Sequence, residues 1–525
     1  MPVASRTRFA VLALVAGVTL AGCVPPFDQT TPDGDGSTTA APGTPTKTPG
    51  AGPADLDGAS LEEFYAQPVT WEDCGDGFEC ATIAAPLDWD APEDGAIELA
   101  LKRWPAEGDA SERIGSLLIN PGGPGGSGIE FVEWAVTGTF SPEIVAAYDV
   151  VGFDPRGVGA STPVRCGGKD VLDAFFVEDY PIGSQADLDA ARAAVAEFGA
   201  ACLEETGPLL AHVDTVSAAR DMDLMRALLG DERLNYAGFS YGTFLGATYA
   251  DLYPQAVGRL LLDGALDPSI SEAELSTGQA EGFENALRAY VTDCQAGANC
   301  PLTGTVEDGL AQIRRVVETA TATPYWAGDG RTLNGTMAMT GIVFPLYDES
   351  AWPYLSRALS EVIEDNTGLF LYELANIYFD RDSQGNYLTN SNEAFTAINC
   401  VDYPPVVRTY EEMLAFADEV RQVAPTFADD FTIGVGCETW PVPATGVRGP
   451  LTAAGAAPIL VVGTTGDPAT PYEWSVALAE QLESGVLMTY EGEGHTAYGR
   501  SNDCVQDAVD HFFLTGETPA DGKVC

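Results

Sequence analysis

Six short apolar runs constrain this chain more than any other feature: Ser116–Asn120, Val150–Phe153, Leu234–Gly238, Leu260–Asp263, Ile459–Gly463 and Val486–Tyr490. Each ends in a loop containing Gly or Asp, and amphipathic stretches separate them. That alternation is the pattern of an α/β protein whose parallel strands are covered on both faces. In such sheets the ligand crevice lies beyond the carboxyl ends of the strands, so chemistry is expected in the loops that follow the runs. Between about Ser271 and Cys437 helical segments take over (Glu281–Cys294, Val306–Ala320, Ala351–Asp365, Tyr410–Val423), with no comparable strand series. The expected layout is one α/β domain, residues 59–270 and 441–525, with a mostly helical cap inserted over 271–440.

Composition narrows the function. The chain has 525 residues, 45% of them hydrophobic, enough for a substantial core. Its 78 acidic against 25 basic residues give a formal net charge of −53, which repels nucleic acid and anionic membrane surfaces. Three histidines leave little room for a multi-histidine metal site. Neither a metal nor a cofactor is expected.

Arg6 and Arg8 precede an apolar stretch, Phe9–Ala21, that has the length of a signal-peptide core and is too short to span a bilayer. It ends in Leu20-Ala21-Gly22-Cys23, which resembles a bacterial lipobox. The expectation is a signal over residues 1–22, lipid on Cys23, and a Pro/Thr/Gly tether over 23–58 too polar to fold. Export to the outer face of a bacterial cell membrane follows, with the lipid as the only membrane contact. With Cys23 lipidated, ten of the eleven cysteines remain, an even number suited to disulfides. Local loop closure suggests the pairs Cys74–Cys80, Cys166–Cys202, Cys294–Cys300, Cys400–Cys437 and Cys504–Cys525, although ten cysteines allow many other pairings.

Gly238-Phe239-Ser240-Tyr241-Gly242 is a G-x-S-x-G motif, weak as a pattern and strong in its setting. An apolar strand runs into it, and a helical stretch, Phe244–Leu252, runs out. Such a strand–turn–helix holds a serine up into the crevice. A serine needs a general base. His511 lies in an amphipathic C-terminal stretch and His212 beside a helix start, whereas His495 follows the last strand candidate, where a base would stand beside Ser240. Asp467, after the Ile459–Gly463 run, is the expected partner of His495; Asp263 is its rival.

The glycine-rich turn Asn120–Ser127 follows an early strand and is suited to supply an oxyanion donor from Gly123, with the second N–H coming from Tyr241. Its prolines and the missing lysine argue against a phosphate-binding loop. Asp154-Pro155-Arg156-Gly157-Val158-Gly159 completes the rim and reads as structural.

Taken together, Asn120–Gly128, Asp154–Gly159, Gly238–Gly242, Asp467–Pro471 and Gly492–His495 resemble the secreted tripeptidyl aminopeptidase-like branch of the proline iminopeptidase family. The resemblance covers roughly Leu61 to Cys525, including a C-terminal part of the TAP-like type. It implies an α/β-hydrolase fold, a triad of Ser240, Asp467 and His495, an oxyanion region at Gly122–Gly123, and a helical cap that blocks internal chain segments. The turn opens with Asn120-Pro121 where proline iminopeptidases have His, as in the TAP-like branch. The expected activity is a serine exopeptidase acting on peptides with free N-termini, and a monomer is favoured. An esterase on the same triad and a non-catalytic envelope binding protein are the alternatives. An aminopeptidase also needs a carboxylate for the substrate ammonium; Glu281 (with Glu274 nearby) and Asp402 are the candidates.

Overall fold

The computed structural model describes residues 56–525 apart from 181, 329, 433, 434 and 447. The signal segment, Cys23 and all but the last residues of the tether lie outside the described residues.

Every residue of β4 (Gly115–Asn120), β5 (Tyr148–Phe153) and β6 (Leu234–Phe239) is buried, as the unbroken apolar runs require of strands covered on both faces. With β7 (Val257–Asp263), β10 (Ile459–Gly466) and β11 (Gly485–Glu493) they form the parallel centre of a sheet. The antiparallel strands β1 (Glu72–Gly75), β2 (Phe78–Pro86) and β3 (Ala96–Trp104) extend one edge, and the short β12 (Lys523–Val524) closes the other. The order is β1-β2-β3-β5-β4-β6-β7-β10-β11-β12, ten strands among the described residues. This mostly parallel sheet, with helices against both faces, is an α/β-hydrolase fold. The antiparallel strands β1–β3 were not anticipated from sequence.

Order reversal about β4 brings the ends of β4 and β6 side by side, with Asn120 opposite Gly238. The ends of β6 and β7 are also neighbours, Phe239 opposite Asp263, as are those of β7 and β10, Val462 opposite Asp263. The loops that carry Gly123, Ser240, Asp263 and Asp467 therefore leave the sheet next to one another.

Between β7 and β10 the chain is helical apart from a two-residue hairpin, β8 (Tyr325–Trp326) with β9 (Thr332–Leu333). Helices Glu272–Ala296, Val306–Ala322, Gly335–Val343 and Leu369–Tyr378 pack around a hydrophobic cluster of their own. That cluster takes in Ala469, two residues beyond Asp467, and Gln279 donates to the Ala469 carbonyl at 3.0 Å. The helical block is thus packed directly on the loop that carries Asp467.

Five disulfides join Cys74–Cys80, Cys166–Cys202, Cys294–Cys300, Cys400–Cys437 and Cys504–Cys525. Such a set belongs to an oxidising compartment and makes the folded part extracytoplasmic. No helix among the described residues is long and apolar enough to cross a membrane.

Candidate active site

Ser240 stands at the corner between β6 and the helix Tyr241–Leu252 with φ 56° and ψ −126°, a conformation that costs an L-residue on the order of 1–3 kcal/mol. The surroundings impose it: the Ser240 N–H donates to the Asp263 carbonyl at 2.9 Å, and the Thr243 N–H donates to the Ser240 carbonyl at 2.8 Å. The motif glycines answer a steric demand. A Cβ on Gly238 would lie 2.3 Å from the Gly242 carbonyl oxygen, and one on Gly242 would lie 2.8 Å from that of Asn120.

The glycine-rich turn lies against this corner. A Cβ on Gly122 (φ +98°) would sit 2.4 Å from the Phe239 carbonyl oxygen and 2.9 Å from the Ser240 Cβ. The Gly122 N–H is taken by Asn120 Oδ1 at 2.9 Å, and the Gly126 N–H by the Gly122 carbonyl at 3.1 Å. The N–H groups of Gly123 and Tyr241 have no acceptor among the described residues, which leaves them available to a ligand.

His495 follows β11. Its Nδ1 lies 2.8 and 2.9 Å from the two carboxylate oxygens of Asp467, and both side chains are almost fully buried. The Asp467 carboxylate also accepts the N–H groups of Ala469 (3.0 Å), Thr470 (2.9 Å) and Thr496 (3.2 Å) and the Thr470 hydroxyl (3.1 Å). These bonds fix a carboxylate that accepts, so Nδ1–H donates to it, and in the neutral imidazole the lone pair is on Nε2. Nε2 is buried without a hydrogen-bond partner among the described residues. Asp263 and Gly264 are the floor shared by Ser240 and His495. The Asp263 carbonyl holds the Ser240 N–H, and a Cβ on Gly264 would lie 3.2 Å from His495 Cε1.

Asp263, the rival acid, has a different place. Its carboxylate accepts the backbone N–H groups of Ala497 (3.0 Å) and Tyr498 (2.8 Å) and so shapes the loop after His495. Burial pushes it up to about 6 against those bonds. Of the other histidines, His511 is exposed near Glu517, and the His212 carbonyl accepts from Arg156. Arg156 itself is fully buried in a two-pronged ion pair with Asp221, while Asp154 accepts from Ser127 Oγ and the Ile129 N–H at the start of helix Gly128–Gly138. The Asp154–Gly159 segment is scaffold.

Three supports escaped the reading of the sequence. Thr470 Oγ1 lies 3.2 Å from His495 Nδ1 as well as bonding Asp467. Arg500 Nε donates to the His495 and Thr496 carbonyls, both at 2.9 Å. From the helical block, the Tyr347 carbonyl accepts the His495 N–H at 2.8 Å, and the Tyr347 ring meets the imidazole edge-on at 5.7 Å.

The candidate amine anchors have distinct surroundings. Asp402 is buried, and its carboxylate is taken by the Thr215 N–H (2.8 Å) and hydroxyl (2.6 Å). Thr215 in turn bonds the Tyr241 hydroxyl, so Asp402 braces the elbow helix from behind and presents no free face to a ligand. Glu274 closes the N-terminus of helix Glu272–Ala296 in a capping box with Ser271. Glu281 is exposed on that helix, whose packed face is marked by Gly278 against Trp474 and Gly282 against Pro468.

Residues 424–525 match the family model described as TAP-like protein. The chain is 38% identical over 487 residues to Serine protease Hip1 of Mycobacterium tuberculosis, covering 88% of this chain and 92% of that one. The chain belongs to the TAP-like α/β-hydrolases. Other relatives of this TAP-like hydrolase are Carboxylesterase B of Mycobacterium tuberculosis, 36% identical with 85% and 86% coverage, and Tripeptidyl aminopeptidase of Streptomyces lividans, 32% identical with 87% and 86% coverage. It is an enzyme, and the serine hydrolases are its class.

Proposed function

We propose that this TAP-like hydrolase is a serine exopeptidase that releases short units, foremost tripeptides, from the free N-termini of peptides. The observation that carries the reading is the pairing of His495 Nδ1 with Asp467, with Nε2 unpartnered among the described residues, and with Ser240 and His495 meeting the same Asp263–Gly264 segment. Ser240 Oγ attacks the scissile carbonyl as His495 Nε2 takes its proton. The N–H groups of Gly123 and Tyr241 receive the oxyanion. His495 then protonates the leaving amine, and water releases the acyl group by the reverse relay. Asp467 holds the imidazole in the required tautomer and stabilises its cation.

The helical block, residues 271–440 in this reading, is the cap that admits chain ends and excludes internal segments. Its packing on the Asp467 loop and its contact with His495 support that role. The names of two relatives, a serine protease and a tripeptidyl aminopeptidase, favour peptides as substrates. We further infer a monomer held at the outer face of the cell membrane by lipid on Cys23.

One experiment tests the activity. Peptide ladders with free N-termini are digested, and the products are followed by mass spectrometry. Short N-terminal fragments, and no internal cuts, are expected; internal fragments from the outset would overturn the exopeptidase reading. The relative named Carboxylesterase B supports a second reading, an esterase on the same residues. It predicts turnover of simple acyl esters with the peptide ladder left intact.

A further inference from the structure

We propose that Thr215 is a positioning residue of the oxyanion site, its hydroxyl tying Tyr241 to Asp402 at the end of a helix, Ser391–Asp402, whose other end is seated on the glycine-rich turn. That role presupposes the reading above in which the N–H groups of Gly123 and Tyr241 receive the oxyanion.

Tyr241 carries one of those N–H groups at the first position of the elbow helix, and its side chain is held at the far end. The Thr215 hydroxyl has a single proton to give, and it goes to one Asp402 carboxylate oxygen at 2.6 Å, while the Thr215 N–H donates to the other at 2.8 Å. With Asp402 ionised, the Tyr241 O–H must therefore donate to Thr215 Oγ1. Burial raises the Tyr241 phenol well above its usual range, so it keeps the proton it donates. Thr215, Tyr241 and Asp402 are 1%, 5% and 2% exposed, which leaves no water to replace a lost bond from outside. A tyrosine side chain turns about two torsions only, so a hydroxyl fixed at one end limits how the backbone N–H at the other can turn.

The helix that carries Asp402 also meets the loop of the other donor. A Cβ on Gly125, two residues beyond Gly123, would lie 2.5 Å from the Ser391 carbonyl oxygen and 2.9 Å from the Phe395 nitrogen. The start of the helix thus lies directly on the glycine-rich turn. Although it falls within the 271–440 block, this helix is fixed to the sheet. Ala394, Ala397, Ile398 and Val401 belong to the same hydrophobic cluster as Leu118 and Tyr236 of β4 and β6, and not to the cluster of the cap helices. Before its first turn, the Asn390 amide donates to the carbonyls of Gly157 (2.8 Å) and Val164 (2.9 Å), and Glu393 accepts the Cys166 N–H at 2.7 Å. One clamped helix therefore braces the turn of Gly123 at its start and, through Thr215, Tyr241 at its end.

The test uses a p-nitrophenyl ester and a trifluoromethyl ketone of one free-amino tripeptide at pH 8. They are compared on the wild type, Thr215→Val, Thr215→Ser, Tyr241→Phe and the Thr215→Val/Tyr241→Phe double variant. Ser240 Oγ adds to the ketone carbonyl, its proton passing to His495, and the resulting oxyanion reads the aim of the two donors. Thr215→Val and Tyr241→Phe should each lower kcat about tenfold with KM little changed, and weaken the ketone by about the same factor. Thr215→Ser, which keeps the hydroxyl, should recover most of the loss. The double variant should lose no more than about one single variant does, because both remove the same bond. Tyr241→Phe leaves the Thr215–Asp402 bonds in place, so it decides the matter alone if Thr215→Val does not fold. Wild-type kcat and ketone affinity in Tyr241→Phe, or a fall in kcat without a loss of ketone affinity, overturns the positioning role and leaves the oxyanion reading intact. A wild type that the ketone does not inhibit overturns both.

Discussion

The Tyr347 carbonyl accepts the backbone N–H of His495 at 2.8 Å, so a residue of the helical block holds the candidate base in place. The ring adds an edge-on contact with the imidazole, and Phe283 packs on the Tyr347 ring at 5.4 Å. Because the ring and the carbonyl do the holding, Tyr347→Phe should keep kcat within about twofold. Tyr347→Ala removes the ring and should lower kcat by about tenfold or more, since small displacements of a base are costly. Steady-state kinetics with thermal unfolding checks this; equal loss in both variants would assign the role to the hydroxyl.

Two acids flank the site with different partners, and substitution should separate them. Asp467→Asn leaves the imidazole without its anionic orienter, and kcat/KM should fall by about four orders of magnitude. Asp263→Asn perturbs the Ala497 and Tyr498 N–H bonds instead. It should lower the melting temperature while costing about tenfold or less in kcat/KM. The pair of rate constants, measured together, decides between them; the reverse ranking would make Asp263 the orienter.

The turn beside Ser240 has no room for a side chain. Gly122→Ala would drive a methyl to 2.4 Å from the Phe239 carbonyl and into the Ser240 Cβ. The turn must then back away from the nucleophile and carry the Gly123 N–H with it. A fall in kcat of about two orders of magnitude is expected, with KM changed much less. Wild-type kcat in Gly122→Ala would remove the turn from the oxyanion site.

Much of this arrangement is legible in the residues, for a physical reason. Strands buried on both faces, such as Leu234–Phe239, must be apolar throughout, and only small residues fit around Ser240. With three histidines, position after a strand singles out His495. The edge strands were not readable, because Ala96–Trp104 mixes Glu, Lys and Arg with apolar residues on a half-covered surface. Helix Ser391–Asp402 was missed because buried polar residues, Asn392, Glu393 and Asp402 among them, break its apolar stripe. Tyr347 acts largely through a backbone carbonyl, which leaves no trace in residue type. Asp402 looked like a free anion, and only the fold shows Thr215 against it.

Asp402 also makes a prediction about pH. Burial, with Asp214 nearby, pushes its carboxyl up to about 7 despite the Thr215 bonds. The folded chain therefore keeps a proton that the unfolded chain gives up near pH 4, and stability from this group falls as pH rises from about 4 to 7. Asp402→Asn removes that dependence. Relative to the wild type it should gain on the order of 4 kcal/mol between pH 4 and pH 8. Denaturant unfolding at both pH values measures the difference; a gap that does not change with pH would contradict the assignment.

The central claim is that Ser240 is the nucleophile. A fluorophosphonate forms a stable adduct only with an activated serine, so labelling followed by peptide mapping tests it directly. The account predicts one adduct, on Ser240, lost in Ser240→Ala and strongly slowed in His495→Ala. No adduct on the folded wild-type enzyme, or an adduct on another serine, would contradict it.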